Sequence, residues 1–239
     1  MLPIIQSLWI GDSLSVMEQL SIVSFLKNGH EFHLYIYDTV ENVPKGAILK
    51  DANKIIPSSK IFKYKNHNSY AGFADLFRYK MLLENGHYWT DTDIVCLSPF
   101  DSEQAYVIAG QKMDNGIIIA NNCLIKAPKN SSLMQYCYDV AIKKNSEELT
   151  WGETGPHLLT FAIKQQQQFQ RYVQPPEVFC PISPNEFYKY ITPIENPAVF
   201  RNSIAVHLWN EMWRRNNIDK SAHYHRNSMY EKLKMIYLT

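Results

Sequence analysis

Apolar and polar positions in the first part of the chain predict a strand–helix–strand unit. Residues 4–10 (IIQSLWI) form an apolar run of strand length. A capping box, S-x-x-E at residues 15–18, predicts a helix that continues to Lys27, where Asn-Gly follows. Residues 31–37 (EFHLYIY) alternate like a second strand. Such a unit begins many nucleotide-binding sheets, in which ligands lie at the carboxyl ends of the strands.

Residues 74–100 (ADLFRYKMLLENGHYWTDTDIVCLSPF) carry the most informative pattern in the chain. Their first part spreads apolar side chains around most of a helix, so we expect that helix to be largely buried. Asp75 and Arg78 lie one turn apart within it, and Asn85-Gly86 predicts its end. Buried charges are unusual unless they are paired or face a ligand, and this pair is therefore a candidate for a functional role.

Two carboxylates follow the next predicted strand, residues 87–90. Asp91 and Asp93 are two positions apart, and such residues on an extended chain point the same way. Carboxylates that face each other repel unless one is protonated or a cation lies between them. A divalent metal that prefers oxygen ligands would satisfy them, and a solvated turn is the alternative. The strand before them and the charged helix upstream favour the metal site.

The rest of the chain predicts a mixture of strands and helices separated by turns. The predicted elements are a short exposed strand at 60–65, strands at 106–109 and 117–120 around an Asn115-Gly116 hairpin, helices at 131–144 and from Pro156, an ordered loop at 174–198, a strand at 204–206 and a closing helix within 219–239. Together with the first unit, this pattern predicts an α/β fold.

Composition limits the class of protein. A length of 239 residues with 46% hydrophobic residues fits one α/β domain over residues 1–239, with a nucleotide-binding half at about 1–100 and an acceptor-binding, metal-completing half at about 101–239. A net charge of +1 argues against a nucleic-acid binder, and four cysteines without C-x-x-C spacing argue against a zinc site. No apolar run reaches the roughly 18 residues of a spanning helix. We expect a cytoplasmic protein, and the basic, aromatic tail leaves peripheral contact with the inner face of the membrane open.

Three motifs in order, A-D-L-x-R-Y…G-x-Y-x-x-D-T-D, T-G-P and H-x-W, resemble those of nucleotide-sugar glycosyltransferases with the GT-A fold. The likeness is to the group that contains the yeast initiating mannosyltransferase, the α-1,4-galactosyltransferases and bacterial polysaccharide enzymes. It implies a Rossmann-like mixed sheet flanked by helices, in one domain with helical and loop additions. It also implies a retaining hexosyltransferase of polysaccharide biosynthesis that uses Mn²⁺ or Mg²⁺. A UDP-sugar would be the donor, and a glycan or glycolipid hydroxyl the acceptor.

The resemblance also implies roles for individual residues. The catalytic residues it implies are Asp75, Arg78, Asp91 and Asp93. The metal ligands it implies are Asp91, Asp93 and His207, a set of carboxylates and imidazole that suits manganese. Contacts with the nucleotide sugar are implied for Trp9, Gly11, Asp75, Arg78, Asp91, Asn115, Gly155, Trp209 and Asn210. Judged from the residues alone, Trp9 fits packing in the core as well as it fits contact with a nucleotide base. A lone histidine beside apolar residues, such as His207, is more often a core residue than a ligand.

Two other functions fit parts of the sequence. Asp91-Thr92-Asp93-Ile94-Val95 matches the D-x-D-x-[TV] signature of haloacid-dehalogenase-like phosphatases, in which Asp91 would be the nucleophile. Those enzymes need a clustered acidic pair downstream, and the aspartates after this motif are scattered. A module that binds a sugar nucleotide without consuming it is the second alternative.

Overall fold

The computed structural model describes residues 2–239, and a six-stranded mixed sheet lies at its centre. The strands in chain order are β1 (Ile5–Trp9), β2 (Phe32–Ile36), β3 (Ile48–Asp51), β4 (His87–Thr90), β5 (Ile94–Cys96), β6 (Val107–Lys112), β7 (Ile118–Ala127) and β8 (Ala205–His207). The main sheet has the order β3-β2-β1-β4-β7-β6. Its first four strands run parallel, and β7 runs antiparallel to both β4 and β6. Strands β5 and β8 pair in a small second sheet.

Helices cover both faces of this sheet. They are α1 (Val16–Lys27), α2 (Ala71–Asn85), α3 (Ser132–Ala141), α4 (Leu158–Gln165), α5 (Pro176–Phe179), α6 (Asn210–Arg215) and α7 (Met229–Tyr237). Two hydrophobic cores result, one holding α1, α7 and the small sheet, the other holding α2, α3 and α4. Neighbouring residues on a strand enter opposite cores, as Tyr88 and Trp89 do, because side chains alternate across a sheet. The predicted GT-A arrangement, a mixed sheet flanked by helices, is confirmed.

The first strand–helix–strand unit forms as the sequence predicts. Both arms of the capping box are present: the Ser15 hydroxyl accepts from the Met17 backbone N–H at 3.2 Å, and Glu18 accepts from the Ser15 backbone N–H at 2.7 Å. Strands β1 and β2 then lie side by side in parallel register. The closing helix is α7. The Lys27 ammonium at the end of α1 donates to the Ile236 carbonyl in the last turn of α7 and to the Thr239 carbonyl after it.

Two local predictions were wrong. The strand predicted at 60–65 is absent, because the chain there turns and Tyr64 is buried against the start of α2. Strand β3 was missed within the connection after β2. It lies at the edge of the sheet, where its Ile48 and Leu49 are 38% and 49% exposed, so no alternating pattern of buried positions marks it.

The pairing of β5 with β8 is the feature that builds the site. Ile94 lies opposite His207, so the strand predicted at 204–206 delivers its histidine beside the residue that precedes Ile94. The turn that follows β4 holds the two aspartates, and the Ile94 backbone N–H donates to the Asp91 carbonyl at 3.2 Å. The segment is therefore a turn and not the extended chain we expected, although both carboxylates still face one cavity. Within residues 2–239, no helix has the length and apolar character needed to cross a bilayer.

Candidate active site

A cavity of about 520 Å³ opens at the carboxyl ends of β1 and β4. That is the edge at which ligands bind in open α/β sheets, and the volume lies in the usual range for small-molecule sites. The predicted site residues on its wall are Trp9, Asp75, Arg78, Asp91, Asp93, His207, Trp209 and Asn210. The structure thus brings together residues from the beginning, the middle and the end of the chain.

Asp91, Asp93 and His207 form a cluster on this wall. Each offers one ligand atom, and the three atoms lie within 4.8 Å of one another. The Asp93 carboxylate lies 3.2 Å from His207 Nε2, and the same oxygen accepts a hydrogen bond from the Asn210 backbone N–H at 2.7 Å. Two carboxylates and an imidazole are a donor set that fits Mn²⁺, so the residues present fit a divalent ion.

Charge distribution in the cluster favours an ion pair between Asp93 and His207. Burial acts to raise the pKa of the Asp93 carboxyl, but His207 and the Asn210 N–H outweigh it and hold that pKa below its usual value. Burial acts to lower the pKa of His207, and the Asp93 charge raises it well above the usual value instead. A metal ion that binds Nε2 must displace the proton this pairing retains, so binding of the ion would release a proton.

The Arg78 guanidinium holds the second carboxylate of the cluster. Its Nη2 lies 3.1 Å from Asp91 Oδ1 and 3.5 Å from Asp75 Oδ1, and its Nη1 donates to the Asn122 carbonyl at 2.5 Å. The group also lies over the Trp89 ring, 4.8 Å from its centroid. Because these contacts occupy most of its donors, Arg78 is arranged to orient Asp91.

Asp75 is enclosed behind Arg78. Its carboxylate accepts from the Asn122 side-chain amide at 2.5 Å and from the Thr154 hydroxyl at 3.1 Å. Burial raises the pKa of Asp75 to about 6, although Arg78 opposes that effect. Gly155 lies directly against this carboxylate, since a Cβ there would be 2.8 Å from Asp75 Oδ2. Gly155 itself is not on the cavity wall, but Pro156 of the same T-G-P segment is.

Trp9 has an unsatisfied indole N–H. The ring lies on the cavity wall, and its Nε1 is buried with no hydrogen-bond partner in the part of the chain that the structure describes. Gly11 lies beside this nitrogen, and a Cβ at Gly11 would be only 3.3 Å from it. Gly11 is not on the cavity wall, but a side chain there would crowd the indole nitrogen. A buried donor without a partner is uncommon in proteins and marks a candidate contact for a ligand.

Trp209 and Asn210 take their positions from an unusual backbone. Trp209 has φ +61°, a left-handed conformation that bulky residues rarely adopt and that is common at functional sites. The Trp209 ring lies over His207 with centroids 3.8 Å apart, and its N–H donates to the Ile182 carbonyl at 2.8 Å. The bend at Trp209 precedes the Asn210 N–H that reaches Asp93. The H-x-W segment thus holds His207 and Asp93 next to each other.

Besides Gly11 and Gly155, a third predicted residue, Asn115, is not on the cavity wall. Asn115 is exposed at the β6–β7 turn, where its side chain accepts from the Ile117 backbone N–H at 3.1 Å. Amides on the adjoining strands are on the wall instead: Gln111, Asn121 and Asn122. Sequence reasoning missed them, although Asn121-Asn122 interrupts an otherwise apolar strand and buried amides are uncommon without a role.

Comparison with known proteins agrees with this geometry. Residues 128–237 match the family described as "Alpha 1,4-glycosyltransferase conserved region". The match includes His207 and begins after the two aspartates of the cluster. The lactosylceramide 4-alpha-galactosyltransferase of Gorilla gorilla gorilla is 25% identical over 151 residues, which are 58% of this chain and 44% of that protein. The chain therefore spans less than half the length of this relative.

Among solved structures, the PaToxG glycosyltransferase has 19% identity and a TM-score of 0.51, over 70% of this chain and 71% of that one. The chain resembles a glycosyltransferase of the GT-A fold. The glycosyltransferase GlyE of Streptococcus pneumoniae TIGR4 is a more distant neighbour, with 13% identity and a TM-score of 0.44, over 85% of this chain and 54% of that one. The predicted likeness to glycosyltransferase enzymes is confirmed.

Proposed function

We propose that this chain transfers a sugar from a nucleotide diphosphate sugar to a hydroxyl group of a glycan or glycolipid, with a divalent metal ion bound by Asp91, Asp93 and His207. The observation that carries the proposal is the convergence of these three ligand atoms within 4.8 Å on the wall of a cavity of about 520 Å³. The name of the gorilla relative, which specifies galactose transfer to lactosylceramide, supports a hexose donor and a glycolipid acceptor.

The charge of the site supports the metal. Asp75 and Asp91 lie against Arg78, and Asp93 lies against His207. Arg214 and Arg215 are also on the cavity wall. A metal ion at the cluster would offset the repulsion between the carboxylates of Asp91 and Asp93 and a diphosphate. Mn²⁺ or Mg²⁺, when bound, would stabilise as a Lewis acid the negative charge that develops on the departing nucleotide diphosphate.

The remaining residues of the wall would bind and orient the donor. The free N–H of Trp9 suits a carbonyl oxygen of a nucleobase such as uracil. Asn121 donates to Gln111 at 2.6 Å, and this pair of amides suits the hydroxyl groups of a sugar. Arg78 and Asp75 fix Asp91 and so hold the metal-binding geometry in place, which is how they would contribute to catalysis. Asn115 has no part in this account.

Finer parts of the proposal follow the family resemblance. Retention of anomeric configuration, a UDP-sugar donor and a place in polysaccharide biosynthesis rest on the D-x-D, T-G-P and H-x-W motifs in their order. Chain length supports a single domain over residues 1–239, and the basic, aromatic tail supports peripheral contact with a membrane. No enzymic nucleophile is assigned.

A turnover assay tests the proposal. The chain is incubated with a panel of nucleotide sugars and Mn²⁺, and release of the nucleotide diphosphate is measured with and without a sugar acceptor. Asp93→Asn should lower turnover by at least about a hundredfold, because several kcal/mol of charge stabilisation is removed. The matched control is Asp101→Asn, an exposed aspartate that is not on the cavity wall.

Each outcome separates the three functions. Turnover that needs Mn²⁺ and is lost only in Asp93→Asn supports transfer. Binding of nucleotide sugars without consumption would indicate the binding module. Phosphate release from phosphomonoesters, lost in Asp91→Asn, would indicate the phosphatase; the contact of Asp91 with Arg78 at 3.1 Å argues against it, since a paired carboxylate is a weaker nucleophile.

A further inference from the structure

A second cluster of metal-ligating side chains lies on the other side of His207. Cys123 on β7, Cys180 directly after α5, and His207 on β8 each offer one ligand atom, and these atoms lie within 4.8 Å of one another. We propose that Cys123, Cys180 and His207 form a binding site for a thiophilic metal ion such as Zn²⁺, separate from the oxygen-rich site at Asp91 and Asp93. This proposal does not rest on the proposed function.

Distances within the cluster approach those of a zinc site. A tetrahedral Zn²⁺ with Zn–S of about 2.3 Å and Zn–N of about 2.0–2.1 Å separates two sulfurs by about 3.8 Å, and a sulfur from a nitrogen by about 3.6 Å. Cys123 Sγ lies 3.9 Å from Cys180 Sγ, and Cys180 Sγ lies 4.0 Å from His207 Nδ1. These two distances are within a few tenths of an ångström of those in a zinc site, and the third pair of ligand atoms, on Cys123 and His207, lies within 4.8 Å.

The two nitrogens of His207 face ligands of different chemistry. Nε2 lies against the Asp93 carboxylate, and Nδ1 lies against the Cys180 thiol. Carboxylates prefer hard ions such as Mn²⁺ and Mg²⁺, whereas thiolates select zinc and other soft ions. The two sites therefore prefer different ions but share one ring. An ion on Nδ1 leaves the ring proton on Nε2, where it donates to Asp93, so an ion on Nδ1 and an ion on Nε2 exclude each other.

A buried hydroxyl in the same core as the thiols gives a second observation. Tyr190 is fully buried, and its hydroxyl has no hydrogen-bond partner within residues 2–239. Burial raises the pKa of Tyr190 well above its usual value, and Cys180, Asp93 and Cys123 are the ionisable groups that add to this effect. A buried hydroxyl without a partner loses the energy of a hydrogen bond. Metal binding turns the thiols into thiolates, which are stronger hydrogen-bond acceptors than thiols.

The binding step is balanced without a further reactant. Zn²⁺ displaces one proton from each thiol and one from Nδ1 of the His207 imidazolium. Two metal–sulfur bonds and one metal–nitrogen bond form, two S–H bonds and one N–H bond break, and three protons pass to solvent. Cys123 and Cys180 are only 1% and 4% exposed, and the loop that carries Cys180 must move to admit an ion, so we expect slow uptake. Cysteine spacing alone argued against zinc, because these ligands are far apart in the chain and lack C-x-x-C spacing.

The proposal is tested by titrating the whole chain with Cd²⁺ under reducing conditions. Cd²⁺ replaces Zn²⁺ in this experiment because its bonds to thiolates give a charge-transfer band in the ultraviolet. One equivalent should produce the band. Cys123→Ala and Cys180→Ala should weaken binding by more than the about 10–100-fold that loss of a second-shell partner causes. Cys137→Ala is the matched control, since Cys137 is a buried free thiol in the other core. Asp91→Asn should leave the band unchanged, which separates this site from the proposed catalytic one.

X-ray absorption of the wild-type chain loaded with one Zn²⁺ keeps the test decisive if the alanine variants do not fold. The proposal predicts two sulfur ligands at about 2.3 Å and at least one nitrogen at about 2.0–2.1 Å. Absence of a Cd²⁺ band in the wild type, a band lost equally in the Cys137→Ala control, or a zinc ion with fewer than two sulfur ligands would each overturn the proposal.

Discussion

Replacing Arg78 with methionine removes a buried positive charge that lies against two carboxylates. The guanidinium is 3.1 Å from Asp91 and 3.5 Å from Asp75, and it donates to the Asn122 carbonyl at 2.5 Å. Methionine is close in length and fills part of the same space, so lost charge and hydrogen bonds dominate the effect. The substitution leaves Asp75 without its ion pair in a site where it is 5% exposed.

The expected loss of stability is about 3–5 kcal/mol, the usual result when one partner of a buried ion pair is removed. Asp91 contributes less than Asp75 to this loss of stability, because the Asp91 side chain is 29% exposed and solvent screens its charge. Adding Asp75→Asn in the same chain removes the unpaired carboxylate. The double variant should therefore recover about 1–3 kcal/mol, which is the coupling expected for residues in contact.

Unfolding in urea at pH 5 and pH 8 measures both effects. Without Arg78, the pKa of Asp75 rises further above its present value of about 6. The folded state then keeps a proton that the unfolded chain releases, so stability falls as pH rises. The destabilisation by Arg78→Met should accordingly be larger at pH 8 than at pH 5. A loss below about 1 kcal/mol, or no recovery on adding Asp75→Asn, would refute the assignment of Arg78 as the charge that holds this cluster.

Two more predictions concern the same wall. The Asp75 carboxyl has a pKa of about 6 in the folded state and 3.8 in the unfolded chain, so the wild type loses stability as pH rises from 4 to 7. Asp75→Asn removes this loss, and its stability relative to the wild type should rise by up to about 3 kcal/mol over that range. A difference in urea unfolding that does not change with pH would contradict this. Gly155→Ala should weaken the binding of UDP in the presence of Mn²⁺, because the new Cβ would be 2.8 Å from Asp75 Oδ2. Gly116→Ala is the control, since no atom lies within 4 Å of its Cβ, and the affinity for UDP measured by calorimetry should not change.

Local chemistry made much of the fold predictable. The capping box of α1 and the Asn85-Gly86 end of α2 depend on residues a few positions apart, and both form as expected. The strand with Ile48 and Leu49 was missed because an exposed edge strand buries neither residue, so it leaves no periodic signal. Alternation of apolar and polar residues arises from burial of one face, so it does not mark a strand whose residues are exposed.

Tertiary contacts explain what the sequence left open at the site. The proximity of His207 to Asp93 depends on pairing between β5 and β8, which are over a hundred residues apart, and only the family resemblance suggested it. The position of Arg78 one turn after Asp75 was visible, but its contact with Asp91 requires the folded sheet. The same holds for the thiols behind His207, since no local spacing brings them together.

Calorimetric titration of UDP into the chain, with and without Mn²⁺, shows whether Asp93 and His207 bind the ion that holds the nucleotide. Mn²⁺ should strengthen UDP binding in the wild type, and Asp93→Asn and His207→Asn should each remove this dependence while both variants remain folded. Binding of UDP that is equally dependent on Mn²⁺ in the wild type and in both variants would contradict the assignment of Asp93 and His207 as ligands of the catalytic ion.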